Sequence, residues 1–325
     1  MDSEGLRVDF WDVGQGDCSV ITLPSNELIV IDVGPIGSPL IGWLNDRAGC
    51  TIKAIVLTHN HADHIGALQA IEKLPRVTIG AVYMLADRNP ASDSFRRIMR
   101  PIRDAMKSGR FVVRCLTAGQ VIWEASDGSA SLTVEHPDFI SNIDASTPNE
   151  TSGILTLALE RRTVLVWPGD ALLGDISAVV AGGTGLPDVL HGPHHGAPQD
   201  FKTQDPETQR RLRTIGAKTC YVSVGSWNRY GHPKRKYIKA LARIGCAGSC
   251  SQLTAACEPG LTSKSLPVIS SHGLLGLRAP GSGVACRGAM RFTVIDGDLV
   301  VDELDAEHRR RVLARISSPA CVRRN

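Results

Sequence analysis

A chain of 325 residues with 42% apolar side chains can bury one large core or one core with an appendage, and the second arrangement is expected. Its formal charge of +3 neither demands nor excludes an anionic polymer, so partner identity has to come from the site. No apolar run approaches the roughly 18 residues that span a bilayer, and Met1-Asp2-Ser3-Glu4-Gly5 lacks the regions of a signal peptide, so a cytoplasmic protein without membrane association is expected.

In chain order, Leu6 to Leu23 and Glu27 to Val33 read as β-rich runs broken by the turn Pro24-Ser25-Asn26. Lys53 to Leu57 is a short apolar run ending at Thr58. Beyond Asp63, Ile65, Leu68, Ile71 and Leu74 recur at helical spacing, which places the intervening histidines on a strand-to-helix loop. Val77 to Leu85 reads as a strand, and Ser92 to Gly109 as a helix that Pro101 kinks or interrupts. Strands are expected at Phe111 to Leu116, Val121 to Glu124, Ser131 to Glu135, Gly153 to Glu160 and Thr163 to Trp167. Helices follow at Ala171 to Ala181, Pro206 to Ile215 and Lys234 to Ile244, separated by strands Asp188 to His191 and Thr219 to Val224. From Gly245 to Cys286 the composition turns to Gly, Ser, Pro and Cys with little periodicity. A strand pair, Met290 to Ile295 and Leu299 to Val301, and a charged helix, Asp305 to Ile316, close the chain. This divides it into a catalytic domain, 1–244, and a Cys-rich extension, 245–325, packed on it and open to a protein partner; the oligomeric state has no signature.

The chemistry concentrates in Thr58-His59-Asn60-His61-Ala62-Asp63-His64. His59 and His61 can turn toward one point if the chain leaves regular sheet there. Asp63 opens a helix, where backbone N–H groups favour an ionised carboxylate. Three imidazoles and a carboxylate are too many for one small ion of four to five coordination, which argues for two metals side by side.

The string resembles the H-x-H-x-D-H signature of the metallo-β-lactamase fold, and the likeness continues along the chain. Phe10-Trp11-Asp12-Val13-Gly14-Gln15-Gly16-Asp17 resembles the D-V-G-Q-G-D entry strand of the ComEC-type competence-protein hydrolase domain and of phosphorylcholine esterases. Ile29-Val30-Ile31-Asp32-Val33-Gly34 is similar to the family's aspartate after its second strand. Asn149-Glu150-Thr151-Ser152 with Pro168-Gly169-Asp170 is similar to the subgroup's N-x-x-S and G-D. Leu190-His191-Gly192-Pro193-His194-His195-Gly196 and Asn228-Arg229-Tyr230-Gly231-His232-Pro233 resemble its H-H-G and N-x-Y-G-H-P segments. The resemblance implies an αββα sandwich, two mixed β-sheets flanked by helices, holding two divalent ions, Zn²⁺ or Mn²⁺.

Carried over by position, it implies that His59 and His61 hold metal one, that Asp63 and His64 hold metal two, and that Asp170 bridges them. One of His194 and His195 completes metal two, with His195 preferred. The family's further histidine for metal one is missing; Asn149 stands near its place, and His136 is the other candidate. Asp32 is expected to fix a ligating imidazole from behind, with Asp17 and Gln15 nearby, and the glycines at 14 and 16 to let backbone approach the site or simply to form a turn.

Two adjacent ions acidify a shared water into a hydroxide nucleophile, so no Ser or Cys nucleophile is needed. The fold alone cannot name a substrate. The subgroup likeness, with the basic residues Arg229, Lys234, Arg235 and Lys236, favours a phosphodiesterase or nuclease acting on DNA. Alternatives are a small-molecule metallohydrolase and a regulatory subunit without catalysis. Asn228 and His232 are candidate catalytic residues, His232 as an acid toward the leaving oxygen or as a substrate-orienting group. Tyr230 and Lys234 are candidate substrate contacts, Tyr230 and Trp227 either as stacking surfaces or as ordinary packing. Nine cysteines cannot all pair within one chain. Cys250, Cys257, Cys286 and Cys321 form either a structural zinc site or a set of buried thiols, and Cys18, Cys50, Cys115 and Cys220 are expected in the core.

Overall fold

The computed structural model of the chain describes residues 5–85, 93–138, 140–141, 145–257, 283–302, 304–316 and 319–321. Its strands are β1 (Arg7–Phe10), β2 (Cys18–Thr22), β3 (Leu28–Val33), β4 (Cys50–Val56), β5 (Val77–Met84), β6 (Val112–Cys115), β7 (Val121–Glu124), β8 (Ala130–His136), β9 (Ile154–Leu159), β10 (Arg162–Trp167), β11 (Val189–His191), β12 (Thr219–Val222), β13 (Ala247–Cys250), β14 (Met290–Ile295) and β15 (Asp298–Val301). They form two mixed sheets, one in the order β15-β14-β1-β2-β3-β4-β5-β6 and the other β13-β12-β11-β10-β9-β8-β7. The helices are α1 (Pro39–Asn45), α2 (Ala62–Ile65), α3 (Leu68–Glu72), α4 (Asp93–Lys107), α5 (Leu173–Gly182), α6 (Pro206–Ile215), α7 (Arg235–Arg243) and α8 (Leu304–Arg315).

The layers follow from side-chain alternation. In β3, Ile29 and Ile31 point toward the second sheet, where Leu157, Leu165 and Trp167 meet them. Leu28, Val30 and Val33 point the other way and pack with Leu40, Leu44, Leu68 and Ile71 of α1 and α3. A strand covered on both faces reads as an unbroken apolar run, and Leu28-Ile29-Val30-Ile31 is one. On the far side, α5, α6 and α7 cover the second sheet with Ile176, Leu212, Ile215, Ile238 and Leu241, which completes the expected αββα order. Helix α6 shows its limits in sequence: the Asp205 side chain accepts from Thr208 N–H at 2.7 Å, Pro206 takes the first helical position, and Gly216 leaves in a left-handed conformation at φ 53°. Helix α4 runs through Pro101 without a break. No helix among the described residues is long and apolar enough to cross a membrane.

The segment after residue 244 enters both sheets. β13 extends the second sheet parallel to β12, and β14 joins the first antiparallel to β1, register Phe10 to Met290. Side chains tie it in as well: Gln252 Nε2 donates to Asp12 Oδ1 at 2.7 Å, and Tyr221 hydroxyl donates to Gly288 O at 3.0 Å. Arg287, 1% exposed, pairs with Asp302, whose carboxylate also accepts from the N–H of Arg291 and Leu304 at 2.9 and 3.0 Å.

Asp302→Ala leaves the buried Arg287 guanidinium without this carboxylate, and removing one partner of a buried pair costs about 3 kcal/mol or more. Urea unfolding is expected to show that loss. A change below about 1 kcal/mol would place the pair with ordinary surface ion pairs.

Candidate metal centre

Parallel strands release their chains at one edge of the sandwich, where the backbone leaves the ladder and short loops can aim side chains at a common point. β3 ends beside Asp32, β4 runs on to Thr58 and His59, β10 to Gly169 and Asp170, and β11 to His194 and His195. Asp170 is 2% exposed, and its two oxygens face different imidazole sets. Oδ2 lies 3.4 Å from His59 Nε2, 3.6 Å from His194 Nε2 and 3.9 Å from His61 Nδ1. Oδ1 lies 3.4 Å from His64 Nε2 and 4.0 Å from His195 Nε2, and Asp63 Oδ2 closes that side at 3.3 Å from His195 Nε2.

These donor atoms fit divalent cations. His64 Nε2, His195 Nε2 and Asp170 Oδ1 are buried together without hydrogen-bond partners, an arrangement that costs free energy unless an ion completes it. Two groups of ligand atoms are close enough to share an ion, one of His59, His61 and Asp170 and one of Asp63, His64 and His195. A third combination, Asp17 with His64 and Asp170, overlaps them. Burial alone would raise the Asp170 carboxyl, but His59 and His64 beside it hold it well below the usual carboxylate range. Asp63 is likewise held down against its burial by His195 and His64. Burial lowers His59 and His194, which keeps both neutral, as ligands must be. His64 and His195 go the other way. Burial would lower them, yet Asp32 and Asp170 around the first, and Asp17 and Asp63 around the second, raise both well above the ordinary imidazole value.

The structure separates two histidines that the sequence could not. His194 sits with His59 and His61, and His195 with Asp63 and His64, because both adopt left-handed backbone, φ 48° and 51°, and so turn to opposite ends of Asp170. His194 thereby faces the same Asp170 oxygen as His59 and His61, near the place for which Asn149 and His136 were the candidates, though it lies outside the group of three that can share an ion. His136 uses Nδ1 on the carbonyl of Ser152 at 3.1 Å and belongs to none of the ligand groups among the described residues. Asn149 is buried, its carbonyl accepts from Ser152 N–H at 3.1 Å, and no hydrogen bond joins its side chain to the imidazoles.

Around the ligands stand groups that fix them. Asp32, itself at φ 52°, accepts from Thr58 N–H and Oγ–H at 2.8 and 2.7 Å and holds His64 Nδ1 at 2.7 Å, as expected of it. Since the Thr58 hydroxyl is given to Asp32, its oxygen accepts from His59 Nδ1 at 3.2 Å, which turns Nε2 toward Asp170 and His61 Nδ1, the latter at 2.9 Å. Three supports went unread in the sequence. Ser152 Oγ accepts from Asp170 N–H at 2.9 Å; Ser223 takes His195 Nδ1 on its carbonyl at 3.0 Å and donates its hydroxyl to Gly16 O at 2.6 Å; Thr58 is the third. Their one signal is a hydroxyl residue at the end of a strand or beside a motif glycine. Asp17 Oδ1 lies 3.3 Å from His195 Nδ1. Gln15 reaches Gly225 N–H at 3.4 Å and touches no imidazole by hydrogen bond. Glycine is required at 16 and 169, where a Cβ would stand 2.3 Å from Asp63 O and 2.4 Å from Ser152 Oγ.

The loop from 225 to 236 forms the rim. Asn228 was expected in a catalytic role, but its amide is spent: Nδ2 donates to Gly225 O and His232 O at 2.7 and 2.9 Å, and Oδ1 accepts from His232 N–H at 2.8 Å. It clamps the loop that presents His232, whose ring centroid lies 5.2 Å from that of His194. Burial and the neighbouring His195, His194 and Lys234 push His232 down to about 4, which favours a neutral imidazole at neutral pH. Tyr230 and Trp227 are about half exposed, and Lys234 Nζ donates to Tyr230 O at 3.2 Å. Arg235 donates to the carbonyls of Ala256 and Cys257.

Cys250, Cys257, Cys286 and Cys321 lie near one another. No group close enough to share an ion contains a thiol among the described residues. Cys257 and Cys286 lie in an apolar cluster with Leu253, Val312 and Ile316, while Cys250 and Cys321 pack under α7. Cys18 and Cys220 are core residues, but Cys50 is only half-buried and Cys115 is exposed, because β6 is an edge strand.

Replacing His194 by Ala is expected to remove about one equivalent of bound zinc, whereas His136→Ala keeps the full complement, read by metal analysis after equilibration at fixed free zinc. Zinc loss from His136→Ala alone would reverse the assignment. Because His64 and His195 are raised well above the ordinary imidazole value in the metal-free protein, loading is expected to release protons and to weaken as pH falls. Calorimetry in buffers of different ionisation enthalpy counts those protons; uptake without release would contradict the geometry.

The sequence model of the Metallo-beta-lactamase superfamily matches residues 11–209. ComE operon protein 3 of Bacillus subtilis (strain 168) is 24% identical over 270 residues, 75% of this chain and 31% of that protein, so the chain spans about a third of that relative's length. Among solved structures, Igni18, a metallo hydrolase of the archaeon Ignicoccus hospitalis, is 15% identical with a TM-score of 0.45, covering 75% of this chain and 94% of that one. A diphosphatase from the PhnP family is 15% identical with a TM-score of 0.37, over 67% of this chain and 87% of that one. The matched stretch contains every ligand group around Asp170, and on it this chain belongs to the metallo-β-lactamase superfamily.

Proposed function

We propose that this chain is a metal-dependent phosphodiesterase acting on nucleic acid, DNA in the first instance, with two divalent ions, zinc before manganese. The observation that carries the reading is Asp170, one buried carboxylate whose oxygens face two separate sets of imidazoles. Two ions held side by side acidify a water and neutralise charge that grows on an attacked phosphorus. The protein's own groups do the rest. Asp32 and Ser223 orient His64 and His195 from behind, Thr58 orients His59, and Ser152, which accepts from Asp170 N–H, holds the bridging carboxylate in place.

The rim supports a phosphodiester over a neutral substrate. Lys234, Arg235 and Lys236 line the cavity next to His232, and no carboxylate lines it among the described residues.

The test is a panel of single- and double-stranded DNA, RNA and bis-p-nitrophenyl phosphate with zinc- or manganese-loaded protein. Cleavage of DNA is expected, and Asp63→Ala is expected to abolish cleavage of every diester while the fold persists in circular dichroism. Full activity in that variant would contradict the two-ion reading, and hydrolysis confined to small esters would move the substrate away from polynucleotide. His232→Ala is expected to slow alkyl and p-nitrophenyl diesters by the same factor, since a neutral imidazole orients without protonating. A loss at least tenfold larger, about 1.4 kcal/mol, for the alkyl leaving group would restore His232 as an acid.

A further inference from the structure

We infer that the cavity beside His232 is a subsite for one nucleotide unit, the phosphorylated nucleoside flanking the diester that is cleaved. The inference rests on the phosphodiesterase reading above and names where its substrate is gripped.

The cavity has a volume of about 560 Å³, within the ~300–1,000 Å³ typical of pockets that take small organic ligands. Its wall has two characters. Phe201, Pro233 and Ala256 supply apolar surface of the kind a base covers, while Lys234, Arg235 and Lys236 supply three cations with no acidic side chain among the described lining residues. Arg235 is fixed by the carbonyls of Ala256 and Cys257 at 2.7 and 2.6 Å, and Lys234 by Tyr230 O at 3.2 Å, so two of the three charges are held in place before a ligand arrives. A bare phosphate would leave most of the volume empty, and an uncharged apolar ligand would leave Lys234 and Lys236 without an anion at the wall of a partly enclosed space. An anion with a flat apolar body satisfies both walls.

His232 joins this cavity to the metal centre. It lines the cavity, and its ring lies 5.2 Å from that of His194 and 6.1 Å from that of His195. A nucleotide in the cavity is therefore one imidazole away from the metal ligands, where the adjoining phosphate of the same strand would lie.

The experiment is calorimetric titration of the zinc-loaded full chain with dAMP, deoxyadenosine and inorganic phosphate, in wild type, Ala256→Trp, which fills the cavity, and Lys236→Glu, which reverses one charge at its exposed rim. Wild type is expected to bind dAMP more tightly than either fragment, and each variant to lose about tenfold or more in dAMP affinity. In parallel, kcat/KM for the dinucleotide d(ApA) is expected to fall about tenfold relative to that for bis-p-nitrophenyl phosphate, a substrate that lacks a nucleoside to place. Lys236→Glu, at an exposed position, provides a reading even if Ala256→Trp fails to fold. Unchanged dAMP affinity in the folded variants, or dAMP binding no tighter than inorganic phosphate, would overturn the inference while leaving the phosphodiesterase reading intact. If wild type cleaves no diester at all, that reading fails by itself, and the dAMP titration alone decides the cavity.

Discussion

A carboxylate buried among five imidazoles is the constraint on which this molecule turns. Asp170 cannot be ionised inside a sandwich without compensating charge, and His59, His61, His64, His194 and His195 supply only part of it. His64 Nε2, His195 Nε2 and Asp170 Oδ1 are buried there without hydrogen-bond partners, an arrangement that suits a bound metal. Everything around it serves that geometry: strands that end at the same edge, glycines at 16 and 169 that admit the Asp63 backbone and the Ser152 hydroxyl where a Cβ would stand, and Asp32 and two histidines held in left-handed backbone. Such conformations cost about 1–3 kcal/mol each outside glycine, and they persist where the surroundings over-determine them.

Part of this was legible in the sequence because the first ligands are contiguous. His59 to His64 sit in one loop after a strand, and their density alone argued for two ions. Asp170 and the two later histidines became legible through the family resemblance. What could not be read was the split between His194 and His195, because neighbouring residues in ordinary strand alternate in a predictable way and these two do not. The role of Asn228 was hidden for a different reason: its amide looks available in sequence, and only the folded loop shows both of its ends taken by backbone.

The fold shows the same division. Long apolar runs and well-capped helices such as α6 declared themselves, but α1 is only seven residues long and went unread despite Ser38-Pro39 at its start. β13, Ala247-Gly248-Ser249-Cys250, has no strand-forming composition at all and pairs because α7 delivers it beside β12. The cysteines were read either as a clip or as buried thiols, and the fold brings Cys250, Cys257, Cys286 and Cys321 near one another, with Cys257 and Cys286 also packed against α8 and its end. In each case the deciding term was tertiary: a neighbouring element supplied partners that no local pattern encodes.

The central claim is that Asp170 stands between two ions. Anomalous X-ray diffraction from crystals of the zinc-loaded protein, recorded at the zinc absorption edge, tests it directly. The account predicts two peaks on either side of the Asp170 carboxylate, one bonded to His59, His61 and His194 and the other to Asp63, His64 and His195. A single peak, or two peaks that leave Asp170 bound to only one ion, would contradict it.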